Sequence, residues 1–541
     1  FHKINLLCIF YAIKFIPNMI RQRRPPQSSA SVSSQSLKPT RNRIKSTQIP
    51  RRVPIAIFLP DRIDFFLIFL FFLTALFIRF YRLEYPCAVV FDEFHFGKFI
   101  DWILKQEHYF DIHPPLGKLT LAFIGSIFGY KPKDGFLYDS IGASLEGTQY
   151  IILRRISACF GSLIVPLGYI LARELGISKV SSVLTSWCFL FDTMLIIESR
   201  LILIDSQLLV YCLISFWCAL RLWKTEKHSK IRFFWILLTA SFGSLALSIK
   251  WTALAYPGLI AMESFFGLFL LNDDQLLSIS ECMTAAISAA LMYMFWFYIH
   301  FQNTVKSGTG DGFMPSSYTS TLLHENPNST GEWIRDSEEY RWFLTNFLEV
   351  NAQMYISNKN LETRHNWESQ WYQWILNWRG VLYFTNYGLI DKETGFRQDE
   401  KIYLIGNPAV LWSCFVSIVL FILWILYSLR YRHNNDNQNK QNDYQKYRIG
   451  MILFVGYILN LLPYILVDRS AFIYHYLPGL VFAELLLTFM MDLLPKYVKF
   501  SGIGLLLTLI FMAFLYWAPW IYAIRLGADQ HAHREWLPRW N

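Results

Sequence analysis

The stretch Ile63-Asp-Phe-Phe-Leu-Ile-Phe-Leu-Phe-Phe-Leu-Thr-Ala-Leu-Phe-Ile-Arg-Phe-Tyr-Arg82 decides the fold class. From Phe65 to Ile78 its only polar side chain is Thr74. A helix on a soluble protein carries one apolar stripe; this run is apolar on every side. Lipid accepts such a helix because all its backbone bonds are internal. Spanning about 30 Å of hydrocarbon takes about 20 residues. Similar runs centre on 150–172, 179–196, 204–223, 232–249, 252–271, 281–301, 407–429, 449–467, 472–491 and 501–524, about eleven in all. The 541 residues are 54% hydrophobic and 17% charged, with a mean hydropathy of +0.28, too apolar for an ordinary soluble domain. The expected fold is an all-α polytopic membrane protein.

The net charge of +10 does not point to nucleic acid, because Lys and Arg fall mostly in connections between apolar runs. Arg21, Arg23, Arg24, Arg41, Arg43, Lys45, Arg51 and Arg52 lie in residues 1–60, read as a basic, disordered tail. Lys224, Lys227, Lys230 and Arg232 fill one short connection; Arg430, Arg432, Lys440, Lys446 and Arg448 fill another. With eleven spans all three fall on one side, the cytoplasmic side by the positive-inside rule. The loops 83–149 and 302–406 then face the lumen. The expected organisation is a transmembrane module over 61–301 containing loop 83–149, a large lumenal loop 302–406, and a transmembrane module over 407–541. The glycosylation acceptor Asn328-Ser-Thr330 falls in the second loop and agrees with a lumenal address.

The first lumenal loop holds most of the chemistry. It reads Val89-Val-Phe-Asp92-Glu93-Phe-His95-Phe-Gly-Lys98, then Phe110-Asp111-Ile-His113-Pro-Pro-Leu-Gly-Lys118. Asp92, between Phe91 and Phe94 at a bilayer surface, is expected to be partly desolvated, which raises a carboxylate's pKa and makes it a better base. The same two carboxylates would equally serve as a helix start, with Asp92 and Glu93 as cap and first turn. Cations stand at other rims on this side: Arg154 and Arg155, Lys250, Arg469 with His475, and Arg200 in Ser199-Arg200-Leu-Ile-Leu-Ile-Asp205. Any one of them can simply snorkel; several together suit an anionic lipid head group. A multi-pass transporter is the competing class, with Glu263 and Glu484 as intramembrane charges, but no internal repeat is visible.

With those motifs in order, the chain resembles the dolichyl-phosphate-mannose protein O-mannosyltransferases over about residues 60–525. Ser307-Gly-Thr-Gly-Asp311-Gly-Phe-Met314, Gly406-Asn-Pro408 and Tyr474-His-Tyr-Leu-Pro478 also stand at family-like places. The first-loop wording is closest to the branch with the fungal fourth type and an animal subunit. The resemblance implies a superfamily C glycosyltransferase architecture in the endoplasmic reticulum membrane, with a cytoplasmic N-terminus and a lumenal site. It implies inverting transfer of mannose from dolichyl phosphate mannose to Ser or Thr hydroxyls of proteins. No cofactor and no metal are required, and a homo- or heterodimer with a family member is expected. By the resemblance Asp92 is the base and Glu93 supports or positions the acceptor or the base. Arg154 binds the donor phosphate, with Lys250 a second candidate. His95, His113, Arg469 and His475 are possible substrate contacts. Another lipid-phosphate-sugar transferase would share the architecture. The family's usual β-trefoil module is missing, since about twenty residues separate Ser307–Leu323 from Phe343. Trp333, Trp342, Trp367, Trp371, Trp374 and Trp378 in this loop are expected at the membrane interface.

Overall fold

The computed structural model describes residues 57–540 apart from 137, 268–275, 328, 330, 338–342, 362–363, 391–394, 396 and 432–436. The anticipated tail, save its last residues, lies outside them, as do Asn328 and Trp342.

Helix α1 (Arg62–Phe80) begins where Asp61 accepts from the backbone N–H groups of Ile63 and Asp64, both at 3.0 Å, and Asp64 returns a bond to Asp61 N. This reciprocal cap fixes the helix start. Phe65, Phe66, Phe69, Leu73 and Phe77 remain exposed along α1, a large apolar surface that only lipid accommodates. Two shorter helices of the first loop follow, α2 (Glu93–Lys105) and α3 (Leu116–Ile127). Helices α4 (Tyr150–Glu174), α5 (Lys179–Phe191), α6 (Thr193–Arg200), α7 (Asp205–Leu222), α8 (Lys230–Leu247), α9 (Ala255–Phe266) and α10 (Ile279–Asn303) complete the first half. The second half contributes α11 (Phe343–Lys359), α12 (Pro408–Tyr431), α13 (Asn437–Leu461), α14 (Leu477–Asp492) and α15 (Lys496–Tyr522). Helix α14 is buried along most of its length and α7 nearly so, whereas α1, α10 and α15 face outward.

Among the described residues nine helices are long and apolar enough to cross a membrane; counting the bent pair α5–α6 as one span makes ten. The run expected at 252–271 is only the twelve-residue helix α9 after a short 3-10 turn. The expected third span is broken because Asp192, in extended conformation, ends α5 and caps α6 by accepting from Leu195 N at 3.1 Å. The two pieces meet at 50°. Asn407 stitches this break, donating to the carbonyls of Phe191 and Ile510, each at 3.0 Å.

Helices α4 and α6 approach closely at Gly161, where an added Cβ would lie 2.1 Å from the Ser199 Cβ. Small residues at such crossings let membrane helices touch. Gly161→Ala is therefore expected to destabilise by about 1–3 kcal/mol, read as a lower melting temperature in detergent.

The two long loops are bonded to one another. His108 N donates to Lys306 O at 2.7 Å, and Gly310 N to His108 O at 3.1 Å. A two-stranded antiparallel hairpin, Val381–Ile390 with Arg397–Leu404, carries Glu400, which receives Arg525 Nε at 2.9 Å and the Tyr85 hydroxyl. The other described strands of 302–406 are the short pair His324–Glu325 and Trp333–Ile334. Trp374 does not sit at an interface: it is fully buried and donates to Ser369 Oγ at 2.9 Å.

Candidate active site

Asp92 occupies the turn that enters α2, but its carboxylate makes no capping hydrogen bond. The helix-cap alternative therefore does not describe it. The pKa of this side chain is pushed up to about 7. Burial is the main cause; Asp205 and Asp111 add to it, and Lys250 opposes it. The residue before it, Phe91, adopts φ +43° and lies under a set of aromatic rings.

Glu93 points the other way and is completely buried. Its Oε1 accepts from Arg154 Nε at 2.8 Å and Ile202 N at 2.9 Å; its Oε2 accepts from Arg154 Nη2 at 2.8 Å and Val90 N at 2.9 Å. Arg154 spends its remaining donors on the carbonyls of Pro86 at 2.8 Å, Ala88 at 3.0 Å and Leu83 at 3.3 Å. Fully buried, with all five N–H groups given to protein oxygens, it has none left for a phosphate. In this structure Arg154, expected at the donor phosphate, is instead the partner of Glu93. The physical reason is the neighbouring carboxylate: a guanidinium fork matches Glu93 bidentately, and the loop closes over the pair. Glu93 likewise has no free lone pair directed at an acceptor.

The open cations lie elsewhere. Lys250 Nζ donates to both oxygens of Asp205, at 2.8 and 2.7 Å, and sits 5.6 Å from the Tyr474 ring centre. Two of its three N–H groups are so engaged. Arg469, half-buried, makes no hydrogen bond or ion pair among the described residues, yet its charge acts on His113 and His475. His113 is held neutral, its pKa pushed down to about 3 by burial and by Lys250, Lys118 and Arg469, against the pull of Asp111. Asp111 is paired with Lys118, which also donates to His113 O at 2.8 Å. Burial raises the Asp111 carboxyl, but Lys118 and His113 outweigh it and leave it lower than usual. His475 uses Nδ1 within its own turn, at 3.1 Å from Phe472 O, and stacks on Tyr474 at 4.5 Å. His95 is exposed on α2 and stands apart from the cluster's hydrogen bonds; the fields of Asp111 and Lys98 reach it.

Lys250, Asp205 and Asp111 thus act on Asp92, while Asp111, Lys250, Lys118 and Arg469 act on His113. They come from the first loop, the ends of α7 and α8, and the turn before α14. The stretch from Arg200 to Asp205 ties them together. Arg200 donates to the carbonyls of Arg79 at 2.9 Å, Tyr81 at 2.5 Å and Arg82 at 3.1 Å, closing the end of α1. Ile202 N holds Glu93, and Asp205 holds Lys250. In the second loop, Asp311 receives Gly308 N at 3.1 Å and stands 2.7 Å from His108 Nδ1, so the Ser307–Met314 motif clamps the two loops. Two members were not foreseen from the chain. Glu198 is buried and accepts from the Tyr383 hydroxyl, nearly two hundred positions away; only its place beside Ser199-Arg200 hinted at it. Among the described residues no three His, Cys, Asp or Glu side chains come together as a metal site.

Comparison with known proteins gives this arrangement a context. The family described as dolichyl-phosphate-mannose-protein mannosyltransferase matches residues 69–305, and the C-terminal four TMM region of protein-O-mannosyltransferase matches 343–540. The chain is 31% identical over 325 residues to dolichyl-phosphate-mannose–protein mannosyltransferase 4 of Saccharomyces cerevisiae, covering 57% of this chain and 42% of that protein. To protein O-mannosyl-transferase 2 of Drosophila melanogaster it is 29% identical over 264 residues, 47% of this chain and 34% of that one. The aligned region spans less than half the length of these relatives. The fold matches a structure of the S. cerevisiae protein O-mannosyltransferase Pmt1–Pmt2 complex bound to the sugar donor. The TM-score is 0.79 at 18% identity, over 90% of this chain and 93% of that one. Two family matches in chain order, one for each half of the molecule and both within the same helical fold, lead to one conclusion: this chain belongs to the protein O-mannosyltransferase family.

Proposed function

We propose that this chain transfers mannose from dolichyl phosphate mannose to Ser or Thr hydroxyls of proteins in the lumen of the endoplasmic reticulum. The observation that carries the reading is Asp92, a half-buried carboxylate without a capping bond, in the field of Lys250 and in the same loop as His113, on which Arg469 acts. Asp92 takes the proton of the acceptor hydroxyl as its oxygen attacks the anomeric carbon. The bond from that carbon to the phosphate oxygen breaks, and the configuration inverts. The leaving dolichyl phosphate carries the electron pair, so it needs neutralising cations and no acid. Arg469 is the better cation for it, because Lys250 already shares two N–H groups with Asp205. Arg154 and Glu93 instead hold the loop that presents Asp92. An unactivated alcohol attacks slowly, so fixing base and acceptor together is the larger part of the task. Residues 302–406 supply the wall of the site in place of a trefoil module, and a second family member is the expected partner.

The test is transfer from a labelled mannosyl lipid to a Ser/Thr-rich peptide, in membranes containing the chain and a partner. Asp92→Asn is expected to lower it by about 10²–10⁴-fold. Arg469→Ala removes one charge-assisted contact, so KM for the donor should rise by about 10–100-fold. A folded wild-type protein that transfers nothing would sink the reading; an unchanged donor KM in Arg469→Ala would remove that residue from the phosphate site.

A further inference from the structure

We propose that Tyr383 is a positioning residue for Asp92 and acts through the ring of Phe91. This rests on the reading of Asp92 as the base. Phe91 has φ +43°, a left-handed conformation that a bulky side chain seldom adopts. It persists only when its surroundings hold it. The Tyr383 ring lies flat on Phe91, with centroids 4.2 Å apart and 8° between planes. Phe472 and Tyr474 close the sides edge-on at 6.1 and 6.4 Å. Such stacked and edge contacts are favourable aromatic geometries. The backbone turn at Phe91 sets the direction in which Asp92 leaves the chain.

Tyr383 is itself fixed from two sides. It stands where the hairpin register shifts between Leu382 and Phe384, so it is the extra residue of a bulge. Bulges re-aim a side chain out of the regular alternation. Its hydroxyl donates to Glu198 on α6, and both groups are about 2% exposed. The hairpin of the second loop thus reaches the base of the first loop through one ring stack anchored in the membrane domain. The charged groups around Asp92 are Lys250 and Asp205 at the helix ends, Asp111 in the first loop and Glu198 on α6.

The experiment measures kcat and KM for mannosyl transfer by the full chain in lipid nanodiscs with its partner, across pH 5 to 9 (roughly two units either side of neutrality). The variants are Tyr383→Phe, Tyr383→Ala and Phe91→Gly, with Asp92→Asn beside them. Tyr383→Phe keeps the stack but loses the Glu198 anchor, so its acidic limb of kcat/KM should move less than that of Tyr383→Ala. Tyr383→Ala and Phe91→Gly release Asp92 toward solvent. Their kcat should fall by about 10–100-fold with donor KM unchanged, and the acidic limb should move down by about one pH unit. Phe91→Gly covers the case in which Tyr383→Ala does not fold, since glycine adopts the turn freely. The proposal is overturned if folded Tyr383→Ala or Phe91→Gly keeps both the wild-type rate and the wild-type limb. If Asp92→Asn retains full rate, it is the base reading that fails, whatever the other variants do.

Discussion

On the proposed reading, Asp92→Asn is expected to lower mannosyl transfer by about 10²–10⁴-fold, the usual contribution of a positioned general base, while the protein melts as wild type. The amide matches the carboxylate in shape but cannot accept the hydroxyl proton. Folding is spared because the Asp92 side chain caps nothing. If Asp92 is the base, the same residue sets the pH dependence. Burial pushes its carboxyl up to about 7, and only the deprotonated form is a base. Activity should therefore rise with pH through the neutral range, and kcat/KM, which reports the free enzyme, should fall about tenfold for each unit below 7. An ordinary surface aspartate would show no such limb above pH 5, roughly one unit over its reference value. A flat kcat/KM profile from pH 5 to 8 (roughly the span across which the limb should develop) would contradict the assignment.

Arg154→Ala is expected to cost about 3–5 kcal/mol of stability, the range for removing one partner of a buried ion pair. Glu93 would be left fully buried with only two backbone N–H donors, and the carbonyls of Leu83, Pro86 and Ala88 would lose theirs. Arg154→Lys should not rescue, because an ammonium cannot fork to both carboxylate oxygens. The double variant Glu93→Leu with Arg154→Met removes both charges and should recover much of the stability, since a buried pair often contributes little net. Denaturation in detergent reads these differences. The outcome separates two assignments for Arg154. A phosphate ligand replaced by Ala would leave a folded protein with a raised donor KM; a scaffold residue replaced by Ala lowers the melting temperature first.

The membrane class was legible because lipid imposes a composition as well as a pattern, and runs such as Phe65–Ile78 satisfy both. The broken span at Asp192 was hidden because it contains neither Pro nor Gly; a capping carboxylate makes the break. In the site, the partner of Arg154 was not legible in the sequence. A rim arginine reads as a phosphate ligand until the carboxylate it meets is known, and that carboxylate is sixty-one residues away. Asp92 and Glu93 read as a functional pair, yet successive residues at a helix start point in different directions, one to the cluster and the other into the protein.

By itself, then, the sequence determined the helical membrane class and the two loops that carry the chemistry. Both follow from local composition and from the cost of burying charge in hydrocarbon. Only the tertiary structure decided which cation remains open, which carboxylate is unpaired, and that Tyr383 underlies Phe91. Those are pairings between groups far apart in the chain. They depend on a limited number of hydrogen-bond donors being shared among buried acceptors, and that allocation exists only once the helices have packed.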